Sequence, residues 1–236
     1  MMDRSRAQTN VLISVAIGCA VASAGCTTIP SWASRMPMFE RDRTTLITPA
    51  MRIDSVRAFA SRSNGLDSDE QRTITDQLAR QIQVEPDPLV REAIVETIAE
   101  FRTPISMQVL RAGLSDPDNG VRIACCEGLG AHKSEDSVSA LRNVLSQQEE
   151  DIDVRLAAAK ALGQVPSEEA VRALALALDD RDPAMQYIGV ESLKAISGQD
   201  FGGDVSAWRQ YAASDVPELR SGAPSIADRV RETLRF

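Results

Sequence analysis

A block of just over thirty residues recurs four times along this chain, and no other feature narrows the possible folds as far. The segments Val90-Arg91-Glu92-Ala93, Val121-Arg122-Ile123-Ala124, Val154-Arg155-Leu156-Ala157 and Met185-Gln186-Tyr187-Ile188 superpose, with their leading residues 31, 33 and 31 apart. Eight positions after each leader stands another apolar residue: Ile98, Leu129, Leu162 or Leu193. Small residues such as Gly128, Ala161 and Ser192 precede it. Positions 0, +3 and +8 fall on one face of an α-helix, so each segment reads as the second helix of a unit.

The first helices repeat in the same register. Met107, Leu110 and Leu114 match Val138, Leu141 and Leu145, then Val171, Leu174 and Leu178, with Leu78 and Ile82 upstream. Thr103-Pro104, Ser134-Glu135, Ser167-Glu168 and Ser68-Asp69-Glu70-Gln71 supply start signals for these helices, and Asp87-Pro88, Asp116-Pro117 and Asp182-Pro183 mark entry to the second ones. Four helix-turn-helix units therefore occupy residues 68–197. One such unit cannot bury its own apolar face, so the units must stack, and the fold class is all-α, an α-solenoid. Composition agrees: aromatics make up only 4% of the residues, which suits helices packed through small and aliphatic side chains.

Two further columns run through the units. An acid stands five residues before each leader, at Glu85, Asp116, Glu149 and Asp180, and an arginine one residue after it, at Arg91, Arg122 and Arg155, with Gln186 in the last unit. The pattern resembles the HEAT repeat, including the bacterial form named after phycobilisome lyases. That resemblance implies that turn acids and second-helix arginines link neighbouring units. It is specific for architecture and unspecific for activity, because one fold serves many roles.

Caps are expected at both ends of the array. Residues 48–67 hold a helix opened by Thr48-Pro49 and carrying Met51, Ile53, Val56 and Phe59. Residues 198–213 run from a Gly-rich turn into a helix with Trp208 and Tyr211, resembling the closing segment of bacterial HEAT proteins, with Trp208 and Phe201 covering the last unit. Residues 214–236 read as a linker and a short amphipathic helix with Ile226, Val230 and Leu234. That stripe suits either docking on the solenoid or binding a partner.

Residues 1–25 have the form of an export signal: Arg4 and Arg6, an apolar run from Val11 to Ala24, then small residues. The run is shorter than the roughly 20 residues of a spanning helix. Two processing routes are open. Ala22-Ser23-Ala24 fits an ordinary cleavage site that would release a soluble chain, whereas Ser23-Ala24-Gly25-Cys26 resembles the lipobox of bacterial lipoproteins, departing from it at Ser23. Ala16-Ile17-Gly18-Cys19 is a poorer second box, because cleavage there strands half of the apolar run. The lipobox implies acylation of Cys26, a tether over 26–47 and attachment to the lipid bilayer facing the periplasm, with Thr27 favouring the outer membrane. The net charge of −8 argues against nucleic acid as a partner.

Few residues carry chemistry. His132 is the only histidine, so no metal set is expected, and the repeated His-Glu pairs of iron-binding HEAT-like hydroxylases are absent. Adjacent Cys125 and Cys126 cannot form a relaxed disulfide and occupy the places of Ala158 and Ala159. No cofactor is implied. The expectation is a scaffold for an envelope protein partner and not an enzyme; the alternatives are a lyase-type enzyme or enzyme subunit of the HEAT-like lyase family, and a purely structural envelope protein. The scaffold's binding strip is expected along the second helices at position +2, with Ile123, Leu156 and Tyr187, and at +5, with Cys126, Ala159 and Val190, rimmed by Glu127, Lys160 and Glu191. The alternative for these positions is packing between neighbouring second helices.

Overall fold

The computed structural model describes residues 47–61, 65–214 and 219. The readings made above for the export signal, Cys26, the tether and the stripe of Ile226, Val230 and Leu234 lie outside the described residues.

Ten helices and no strand occur among the described residues. They are α1 Pro49–Ala60, α2 Ser68–Ile82, α3 Pro88–Ala99, α4 Pro104–Gly113, α5 Asn119–Ala131, α6 Glu135–Ser146, α7 Ile152–Leu162, α8 Glu168–Leu178, α9 Pro183–Ser197 and α10 Val205–Ala212. A side-chain oxygen caps every one of them, as Thr48, Asp87, Thr103, Ser134, Ser167, Asp182 and Asp204 do at their respective starts. Two caps differ from the sequence reading. Asp67 caps α2 and forms a capping box with Glu70, and Asp118 caps α5, which leaves Asp116 free for another role.

The helices alternate between two layers. The second helices α3, α5, α7 and α9 pack side by side, and α1 extends their layer by lying along α3. The first helices α2, α4, α6 and α8 form the other layer, which α10 extends by packing on α8. The second-helix layer is the tighter one, and glycines explain how. A Cβ at Gly130 of α5 would lie 2.8 Å from the Ala161 Cα of α7, and one at Gly163, which caps α7, would lie 2.7 Å from Ser192 Cβ of α9. These backbones approach so closely that even a methyl group has no room.

Between the layers runs an apolar core of Val, Leu, Ala and the two cysteines from Val95 to Ala212, with a smaller cluster of Val56, Leu78, Val90, Ile94 and Ile98 at the N-terminal end. The C-terminal end is closed by Trp208, which is fully buried and donates its Nε1–H to the Gly202 carbonyl at 3.0 Å. Phe201 packs edge-on against it at 4.8 Å, and Tyr211 at 5.8 Å. Gly202 holds the left-handed turn (φ 61°) that brings its carbonyl to the indole.

Candidate functional site

The acid and arginine columns meet as a ladder of ion pairs, each joining one unit to the next. Arg91 on α3 forks onto Asp116, with Nε to Oδ2 at 2.9 Å and Nη2 to Oδ1 at 2.8 Å. Arg155 on α7 pairs with Asp180, both side chains only 7% exposed. Arg122 on α5 reaches Glu150 at 2.8 Å. The sequence reading placed Glu149 at that rung, and the structure corrects it: Glu149 is exposed. This unit has two extra residues in its turn, and α6 ends on an extended Gln147, so the carboxylate that turns inward is the one beside the cap residue Asp151.

A further rung, missed in sequence, joins Arg52 on α1 to Glu85 at 3.1 Å. Its signal was available, since Pro49 precedes Arg52 by three residues as Pro88 precedes Arg91. Each arginine from α3 and α5 also donates to the carbonyl of its own turn residue, Arg91 to Glu85 at 3.2 Å and Arg122 to Asp116 at 2.7 Å. Gln186 does the same to the Asp180 carbonyl at 2.7 Å without carrying charge to a further unit. The acids are held from behind by the turn, Asp116 accepting from the Asp118 amide and Asp180 from the Asp182 amide, both at 2.9 Å.

Charge states follow from these contacts. Burial alone would raise the Asp116 carboxyl, but the Arg91 hydrogen bonds, the Asp118 amide and the two arginine charges outweigh it and hold the group below the usual carboxylate range. Asp180 is held low by the Asp182 amide, with Arg155 adding to it against the cost of burial.

The proposed binding strip divides in two. Cys126 and Ala159 are fully buried and Val190 nearly so; the structure therefore removes the +5 residues from any partner surface. A second helix has neighbours on three sides: its own first helix and the second helices before and after it. At about 100° per residue, +5 falls at about 140° from the leader, still against a neighbour, whereas +2 and +6 fall near 200° and 240°. That is the open sector. There Ile123 and Leu156 are half-buried against the core, Tyr187 is 63% exposed, and Glu127, Lys160 and Glu191 are exposed.

The remaining chemistry-bearing residues are structural. Burial pushes the Cys126 thiol up to about 12 and Cys125 higher, far from a reactive thiolate. His132 stands eleven residues after its leader, where other units have Phe101, Val165 and Ile196, all buried. Its Nε2 lies 3.1 Å from the Ala99 carbonyl and so donates to it, and burial followed by the Arg102 charge lowers its affinity for a second proton.

The sequence profile of HEAT repeats matches residues 75–152, 108–194 and 140–224, which together make up more than half of the chain. The chain belongs to the HEAT-repeat family. No curated protein sequence matches it. Among solved structures it is similar to human deoxyhypusine hydroxylase (22% identity, TM-score 0.48), covering 51% of this chain and 42% of the hydroxylase. It is similar to the complex of CpcE and CpcF of phycocyanin lyase from Nostoc (16% identity, TM-score 0.47), covering 65% of this chain and 66% of that one. An engineered protein matches at 16% identity and TM-score 0.43, over 71% of this chain and 91% of its own. The HEAT-repeat chain thus spans less than half of the hydroxylase's length and just under two thirds of the lyase chain. A hydroxylase and a lyase among these neighbours correct the expectation that the protein is not an enzyme: the fold gives no ground for excluding catalysis.

Proposed function

We propose that this HEAT-repeat protein is held to an envelope membrane by acylated Cys26, facing the periplasm, and binds a protein partner through the open sector of its second helices. One observation carries the binding reading: Ile123, Leu156 and Tyr187 occupy the same position, half-buried to exposed, on three consecutive packed helices, α5, α7 and α9. Apolar side chains in a line on a rigid surface, flanked by charges, suit a protein interface with a greasy centre and polar rim. Tyr187 is the best anchor, being aromatic and exposed. The lipobox, the position of Thr27 and the length of chain between Cys26 and α1 support the anchoring and the outer-membrane site.

A photo-crosslinking residue at position 187 in intact envelopes tests the surface. Capture of a discrete partner that is lost in Leu156→Lys, with melting of the variant within a few degrees of the parent, is the expected result. Crosslinks spread evenly over a control position on α4 and position 187 would sink it. Mass spectrometry of the mature N-terminus tests the anchor, and an unmodified start at Gly25 would overturn it.

A further inference from the structure

The open sector is unevenly charged. At its α3 and α5 end, Glu96, Asp118 and Glu127 all act on Glu92, and the cation that offsets them is Arg57, already paired with Glu96 at 3.2 Å. Asp118 is engaged as the cap of α5. Glu92 and Glu127 accept no hydrogen bond and pair with no cation among the described residues. Glu92 is also half-buried: it lies over Gly120 of α5, its carboxylate 3.2 Å from where a Cβ would stand. A half-buried carboxylate with acids around it and no partner is costly in the free protein, and its ionised form is disfavoured accordingly, by burial first and then by Glu96 and Asp118.

These acids adjoin the apolar line. Glu92 holds on α3 the position that Ile123 holds on α5, and Glu127 lies one helical turn from Ile123, as Glu191 does from Tyr187. Lys160 is the one basic residue among the +6 positions of α3, α5, α7 and α9.

We propose that the occupant of the second-helix face is a cationic amphipathic segment of a protein partner, seating apolar side chains on Ile123, Leu156 and Tyr187 and lysine or arginine over Glu92, Glu96 and Glu127. The inference rests on the binding reading given above and adds the chemistry of the partner. An anionic or purely apolar segment would leave the unpaired carboxylates buried deeper with no compensating charge, so the surface selects for cations as well as for shape.

The probe is a fluorescent helical peptide with leucine at i, i+3, i+4 and i+7 and lysine elsewhere, titrated into the full chain in detergent, beside a counterpart with glutamate for lysine. Expected are binding of the lysine peptide, at least about tenfold weaker binding of the glutamate one, and loss of about tenfold in affinity in both E92Q/E127Q and Y187A. Raising salt from ~50 to ~300 mM should weaken the parent more than E92Q/E127Q. Equal binding of the two peptides, no binding of either, or no effect of E92Q/E127Q overturns the cationic partner. If Y187A alone loses binding, the second-helix reading stands without it, and if neither variant matters, both fall. Binding that emerges only in R229E/R231E assigns the face to the chain's own residues 220–236, whose Arg229, Arg231 and Arg235 stand among Ile226, Val230 and Leu234, and that result also overturns an external partner.

Discussion

A guanidinium that reaches across a unit boundary is the residue-scale device on which this fold relies. Removing one partner of a mostly buried pair strands the other charge, so Arg155→Ala should cost about 3 kcal/mol, more than Arg52→Ala, whose arginine is 29% exposed and loses the cost to solvent screening. Urea melts of the two variants check the order. The rungs also set an acid limit. Because the folded pKa values of Asp116 and Asp180 lie below those of the unfolded chain, their stabilisation is complete above about pH 4 and is lost as pH falls through the lower folded values. Asp180→Asn should be less stable than the parent at neutral pH and converge with it towards about pH 2 in a melting series. Three rungs were half legible in sequence, because arginine and acid recur at fixed spacing. The choice of Glu150 over Glu149 was not legible: adjacent glutamates are interchangeable in a pattern, and only the path of the longer turn decides which one turns inward.

Helix by helix, the sequence was most informative at the first turns. Ser, Thr and Asp caps have a local cause, an oxygen within reach of free amides, so they can be read from a few residues. Which sector of a helix stays open has a non-local cause, the number of neighbours. Period counting put +2 on the outer side, where Tyr187 is exposed but Ile123 and Leu156 are half-buried, and it put Cys126, Ala159 and Val190 beside it, because a pattern on one helix does not reveal that a third element closes that flank. The same crowding makes small residues in the second helices necessary. Gly130→Ala should push α5 from α7 and cost about 1–3 kcal/mol, although alanine is the better helix former by about 1 kcal/mol. A stabilised Gly130→Ala protein in thermal melts would show that the layer can relax. Trp208→Ala, which empties the buried seat at the C-terminal end, should cost about 3–5 kcal/mol and fray α10 first in hydrogen exchange.

For the whole molecule, the proposed anchoring is separable from stacking. Cys26→Ser is expected to release the protein from membranes while leaving the melting of the helical body unchanged, and fractionation beside circular dichroism checks both halves at once. The direction of the ladder has one more consequence. Every arginine hands its charge forward, from α1 to the turn before α3, from α3 to that before α5, from α5 to that before α7 and from α7 to that before α9, and Gln186 hands nothing on. Such a chain has a grammar: an internal unit can be duplicated or excised whole and the new neighbours still present one arginine to one acid, with no charge orphaned at the seam. Adding or removing one whole unit leaves every rung intact, and Gln186, which bonds only within its own turn, closes the series without a charge to satisfy.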